Sequence, residues 1–125
     1  MVKQIQKGDE NRRRWNIIDA SRSRDASYVP QLLARLDSNE SYENKRHIVR
    51  ALGNIGDKRA EPRLLQLLDH EPGLLLGDVV RSLGQLNSQV AISRIKLLVD
   101  HHVEWVRLNA KWALERMSTQ RSPHR

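Results

Sequence analysis

A repeat with a period of 31 or 32 residues is the feature that most constrains how this chain can fold. Three segments align without gaps, and they cover residues 25–37, 57–69 and 88–100. Each begins with Asp or Ser, ends with Asp, and places apolar residues at helical spacing in between. Because one amphipathic helix cannot bury its apolar side alone, a unit that recurs at this period predicts helices stacked one after another in a row.

A second helix lies between these segments in each repeat. Residues 47–57, HIVRALGNIGD, align with residues 78–88, DVVRSLGQLNS, at a shift of 31. The apolar stripe of this helix has the spacing i, i+3, i+4, i+7 and consists of Ile48, Ala51, Leu52 and Ile55. Small residues at the equivalent positions 51, 82 and 113 allow neighbouring helices to approach closely.

Turn residues between the two kinds of helix agree with this division. Gly56 can adopt the left-handed conformation that ends a helix, and Asp57 can then cap the next one. Asp25 and Ser88 occupy the equivalent capping positions. The sequence therefore predicts helices at residues 11–23, 26–36, 43–55, 58–68, 74–86, 89–98 and 103–117. The predicted fold class is all-α, a right-handed α–α superhelix of about seven helices.

A chain of 125 residues suits one domain. We expect a flexible N-terminal segment at residues 1–10, a repeat domain at 11–117, and a disordered polar tail at 118–125. The repeat domain holds three repeats and capping helices. The last apolar position of the repeat pattern is Met117, which places the end of the domain there.

Composition excludes several classes of site. The chain contains no cysteine, which rules out disulfides, thiolate metal sites and cysteine nucleophiles. No apolar run approaches the ~20 residues that cross a bilayer, and the charged N-terminus lacks the apolar core of a secretory signal. We therefore expect a cytoplasmic protein without a membrane partner.

The sequence carries no nucleophile elbow, phosphate loop or catalytic carboxylate pair. His101 and His102, with Asp100 and Glu104 nearby, do not have the spacing of a known metal-ligand set. The prediction is a non-enzymatic chain with no catalytic residue, cofactor or metal.

The stretch VRALGNIGDKRAEPRLLQLLD at residues 49–69 resembles the short HEAT-like repeat of the phycobilisome-lyase type. Residues 51–57 match every fixed position of the ALGxIGD turn of that family, and the resemblance covers about residues 25–117. Leu75 and Leu76 depart from the pattern, because they stand where the family has Val-Arg. Helix 11–23 fits no repeat register and looks like a degenerate cap.

The resemblance implies that the helices near 43–55, 74–86 and 103–117 line the concave face of a solenoid. Their positions outside the core stripe give the predicted partner-binding residues Arg46, His47, Arg50, Arg81, Gln85, Lys111 and Trp112. The shift of 31 places Arg50, Arg81 and Trp112 in one row, and Arg and Trp are common interface anchors. The alternative is a solvated face on which Trp112 covers the end of the stack.

The densest charge cluster is Arg12-Arg13-Arg14-Trp15. It could contact nucleic acid or an acidic protein. We favour a helix start with a solvated basic face, in which Trp15 packs onto the first repeat.

Three functions follow from these patterns, in order of preference. The first is a non-catalytic adaptor or scaffold that binds another protein on its concave helical face. The second, implied by the resemblance, is a subunit or chaperone that acts on phycobiliproteins. The third is nucleic-acid binding through the arginine-rich face. The net charge of +7 weakens the third, since it divides into +4 for residues 1–50, zero for 51–100 and +3 for 101–125.

Overall fold

The computed structural model describes residues 2–70 and 73–121, and their side chains at residues 9–70 and 73–118. Within these ranges the chain consists of helices and turns, which confirms the all-helical prediction. The α-helices are α1 (Val2–Ser23), α2 (Val29–Leu36), α3 (Tyr42–Ile55), α4 (Glu61–His70), α5 (Gly73–Gln85), α6 (Ile92–Lys96) and α7 (Glu104–Arg121). Short 3-10 turns lead into the even-numbered helices, at Ala26–Tyr28, Lys58–Ala60 and Gln89–Ala91.

The same turn ends α1, α3 and α5. A residue with positive φ follows the helix in each case: Arg24 at 55°, Gly56 at 79° and Asn87 at 57°. The prediction that Gly56 ends its helix in the left-handed conformation is confirmed. Gly adopts this conformation without strain, Asn tolerates it, and Arg adopts it at a steric cost.

Two of the three predicted caps follow these turns. The carboxylates of Asp25 and Asp57 accept hydrogen bonds from the backbone N–H groups of Ser27 and Arg59, at 2.9 and 2.8 Å. The prediction for Ser88 was wrong, because its buried hydroxyl instead donates to the carboxylate of Glu61 in the preceding repeat. A hydrogen bond to a charged acceptor is stronger than a neutral cap, and burial inside the stack favours it.

The structure differs from the predicted boundaries at both ends. The backbone of residues 2–10, predicted as a flexible segment, is helical, and Asp9 and Glu10 form ion pairs with arginines one turn later. Residues 118–121, predicted as part of a disordered tail, continue α7, and residues 122–125 lie outside the described residues. Helix α6 ends at Lys96 rather than at 98, and turns follow it to residue 100.

The helices form two layers around one continuous apolar core. The odd-numbered helices pack side by side along the stack, whereas the even-numbered helices each pack mainly against the odd layer. Gly53 and Gly84 permit the close approach within the odd layer, since a Cβ atom at either position would overlap Ser82 or Ala113 of the next helix. A stack whose one layer is packed more closely curves toward that layer, so the odd-numbered helices form the concave face.

Helix α7 has a polar outer side. Glu115 occupies the repeat position that is Gly53 in α3 and Gly84 in α5, and Lys111 occupies the position of two buried valines. Both charged residues are exposed. The outer side of α7 thus carries large charged side chains where α3 and α5 have glycine and valine.

Candidate partner-binding face

The concave face carries three adjoining grooves, which we call grooves A, B and C, and Asn54 lines all three. Groove A is lined by Ile18, Ser21, Arg22, His47, Arg50 and Asn54. Groove B is lined by Arg50, Asn54, Asp78, Arg81, Ser82, Gln85 and Trp105. Groove C is lined by Arg24, Gly53, Asn54, Gly56, Gln85, Trp112 and Arg116. Together they run across α1, α3, α5 and α7.

Asp78 is a buried acceptor at the base of groove B. Its carboxylate, which is about 1% exposed, accepts two hydrogen bonds from Arg46, at 2.6 Å from Nε and 3.3 Å from Nη2. Arg50 Nε and the indole Nε1 of Trp105 donate to Oδ1 at 3.3 and 3.1 Å. The hydrogen bond to Asp78 raises the pKa of Arg46 against the opposing effect of burial. Asp78 therefore ties α3, α5 and α7 together.

The ring of Trp105 lies against Gly77 in α5. A Cβ atom at Gly77 would overlap the indole ring, so this position requires glycine for the tryptophan to reach Asp78. Trp105 was not among the residues predicted for this face. The available signal was Gly77 itself, a glycine inside the apolar run LLLGDVV, which indicates close approach by a neighbouring group.

Amide side chains form a ladder between grooves. Asn54 Nδ2 donates to the hydroxyl of Ser21 at 2.8 Å, and Gln85 Nε2 donates to Asn54 Oδ1 at 2.9 Å. These bonds connect α1, α3 and α5 in sequence, and they hold the middle of the face in one arrangement.

Arg81 and Trp112 form a stacked pair in the same face. The guanidinium carbon of Arg81 lies 4.1 Å from the centroid of the Trp112 ring, and that of Arg116 lies 5.5 Å from it. Arg81 also donates to Asn109 at 3.4 Å, and Arg116 donates to the Gly84 carbonyl at 3.2 Å. The indole ring thus positions two cations beside the grooves.

Comparison with known protein families shows to which family this helical architecture belongs. A family model of HEAT repeats matches residues 29–115. The chain belongs to the HEAT repeat family. The phycobilisome-lyase type, predicted from the turn motif, stays a prediction, since the match is to HEAT repeats in general. No curated protein matches this HEAT repeat chain.

The predicted partner-binding residues of the HEAT repeat chain fall into three groups. His47, Arg50, Arg81, Gln85 and Trp112 all line the grooves. Arg46 is paired with Asp78 and lines none of the three grooves, so its role is structural. Lys111 is exposed on the outer side of α7, away from the groove linings. The role of these seven residues in partner binding stays a prediction.

Three arginines of the face were not predicted: Arg22, Arg24 and Arg116. The repeat could have predicted Arg116, because this residue aligns with the predicted residue Gln85 at a shift of 31. Arg22 and Arg24 belong to α1 and its turn, whose register the repeat pattern did not predict.

His47 lines groove A and is half-buried. Burial lowers its pKa, and the positive charges of Arg50 and Arg14 lower it further. The imidazole is therefore neutral at neutral pH and contributes a donor and an acceptor rather than a charge.

The Arg12–Trp15 cluster joins α1 to α3. Arg13 pairs with buried Glu40 at 2.7 Å, and Arg14 donates to Asn44 at 2.8 Å. Trp15 is 61% exposed, so the prediction that it packs onto the first repeat was wrong. Ile17 and Ala20 form the buried side of α1, and position 15 lies on the opposite side of that helix.

The two histidines that precede α7 stack on each other. The rings of His101 and His102 are stacked with centroids 4.4 Å apart, and His101 Nδ1 accepts the backbone N–H of Val103 at 3.0 Å. Among the described residues no three His, Asp or Glu side chains come together as a metal-binding group. Across the same residues, no helix combines the length and the apolar character that a membrane span needs.

Proposed function

We propose that this chain is a non-catalytic interaction module whose concave face binds an acidic segment of another protein. The charge of the grooves carries the proposal. Five guanidinium groups line grooves A, B and C, and one carboxylate, that of Asp78, lines them among the described residues. A concave surface of one sign attracts and orients a segment of the opposite sign.

The arginines of the even layer are arranged differently. Each pairs with a carboxylate: Arg35–Glu40, Arg59–Asp57, Arg63–Asp37 and Arg94–Asp69, and the last two pairs link consecutive repeats. Exposed pairs of this kind leave little net charge for a partner. The acidic residues of the repeats thus neutralise the convex side, and the positive charge of the concave side remains.

Internal bonds support a binding role for this face. The Asp78 cluster and the amide ladder fix the side chains around groove B before any partner arrives. Binding to groups that are already ordered loses less conformational entropy.

Trp112 favours a protein segment over nucleic acid as the ligand, because Arg81 already lies over the ring on which a base would stack. Single-stranded nucleic acids bind strongly where bases can stack on aromatic rings. Arg81 already lies over the Trp112 ring, and Trp105 is packed against Gly77. The phycobiliprotein alternative rests on the sequence resemblance alone.

Quantitative affinity purification from the native host tests the proposal. The wild-type chain is compared with Arg50→Gln/Arg81→Gln and with the matched double variant Arg63→Gln/Arg94→Gln, which removes the same charge from the convex side. We expect a partner with an acidic segment that is lost from the groove variant and retained by the convex variant. Purified segment and module are then titrated by calorimetry. Equal recovery and equal affinity for both variants would contradict the proposal, as would capture of nuclease-sensitive nucleic acid alone.

A further inference from the structure

We infer that groove B is a subsite for a phosphorylated side chain, so that the module recognises a phosphorylated segment of its partner. The inference rests on the proposed function, because it names the chemistry of the group that enters the same face.

Two arginines from consecutive repeats converge on groove B. Arg50 and Arg81 are equivalent residues at a shift of 31, and both line the groove, whose volume is about 310 Å³. Arg50 contacts Asp78 through Nε, which leaves the four N–H donors of its terminal nitrogens for a ligand. Arg81 contacts Asn109 through one terminal nitrogen at a long 3.4 Å. Paired guanidinium groups suit an anion with several acceptor oxygens.

The charge around groove B matches a dianion. Asp78 at the base of the groove pairs with Arg46 and Arg50, and Arg81 lines the groove without contact to Asp78, so these four side chains together carry two positive charges. A phosphate monoester carries about −1.5 to −2 at neutral pH, whereas a glutamate or aspartate side chain carries a single negative charge. The phosphate therefore neutralises the groove more completely than a carboxylate does.

Neutral donors complete the subsite. Gln85 Nε2 and Asn54 Nδ2 each use one N–H bond in the amide ladder, and each keeps a second one. The hydroxyl of Ser82 donates to the Val49 carbonyl at 2.7 Å, and the indole N–H of Trp105 donates to Asp78, so neither takes part.

Three peptide libraries with a fixed central residue test the inference: serine, glutamate and phosphoserine, each flanked by degenerate positions that include aspartate. Binding of the full chain is measured by fluorescence anisotropy at physiological salt, with a single-stranded oligonucleotide as a further probe. We expect the phosphoserine library to bind about tenfold more tightly than the glutamate library, since charge-assisted hydrogen bonds to phosphate are multiple.

Variants assign the preference to groove B. Arg81→Ala, which leaves every partner of Asp78 in place, removes the preference for phosphoserine, and Arg50→Lys weakens it. Arg94→Ala is the matched control, since its side chain is 40% exposed against 42% for Arg50 and it lies on the convex side. It retains the preference, and circular dichroism verifies that each variant is folded.

Equal affinity for the phosphoserine and glutamate libraries would overturn the inference while leaving the proposed function in place. Tighter binding of the oligonucleotide than of any peptide would overturn it in favour of nucleic acid. Absence of all peptide binding would overturn both.

Discussion

The guanidinium carbon of Arg81 lies 4.1 Å from the centroid of the Trp112 ring, and the two residues occupy the same position in consecutive repeats. The same repeat position is Arg50 in α3. One position thus supplies two cations and, in α7, the aromatic ring that holds the second cation in place. The same repeat position therefore supplies part of the charge of the concave face and the ring that orders it.

Replacement of Asp78 tests the buried cluster. Asp78→Ala removes the acceptor of Arg46, Arg50 and Trp105, and leaves part-buried donors without a partner. We expect the free energy of unfolding in urea to fall by roughly 3 kcal/mol. Asp69→Ala, which breaks the exposed pair with Arg94, should cost less than about 1 kcal/mol. Similar losses for the two variants would show that Asp78 does not organise the stack.

Replacement of Gly84 tests the close approach of α5 and α7. A Cβ atom at Gly84 would lie 2.7 Å from Ala113 Cβ and 3.0 Å from its Cα, and neither atom can move without the helix. We expect Gly84→Ala to lower the free energy of unfolding by about 1–3 kcal/mol, although Ala favours a helix more than Gly does. Gly84→Ser should cost at least as much. A stabilised Gly84→Ala variant would contradict the packing described.

The turn after α1 offers a stabilising substitution. Arg24 adopts a φ of 55°, which is strained for a residue with a side chain. Arg24→Gly should raise the free energy of unfolding by about 0.5–1 kcal/mol, measured by thermal or urea unfolding. Asn87→Gly is the comparison, and it should change stability less because Asn tolerates this conformation. A larger gain at Asn87 than at Arg24 would contradict the account.

Glu40 makes the stability of the fold depend on pH in the acidic range. Burial alone would raise its pKa, but hydrogen bonds from Arg13 and Asn44 outweigh burial, and the pKa is lowered below its ordinary value of 4.5. Ionised Glu40 therefore stabilises the fold at any pH above that ordinary value, and this contribution is lost as the pH falls through the lowered pKa. The free energy of unfolding is measured for the wild type and for Glu40→Gln from pH 7 to pH 3. The difference between the two should be constant at high pH and should shrink in acid. A difference that does not change with pH would contradict this assignment.

Local patterns in the sequence predicted the helices and their turns well, because period, spacing and Gly56 act on neighbouring residues. Features that depend on a partner from another repeat were not predicted. Ser88 caps nothing because Glu61 accepts its hydroxyl, and Trp105 is held by Asp78 and Gly77. The charge of the grooves was predicted in part, since Arg50 and Arg81 were among the predicted residues and Arg22, Arg24 and Arg116 were not. Residues 51–100 have no net charge, yet folding places Asp69 on the convex side and Arg81 on the concave side.

Arginine side-chain NMR tests the binding face most directly. The Nε–Hε signals of the folded chain are recorded while the acidic segment obtained by affinity purification is added. Binding in the grooves predicts large shifts for Arg50 and Arg81, and unchanged signals for Arg63 and Arg94 on the convex side. Shifts confined to Arg63 and Arg94 would contradict the account.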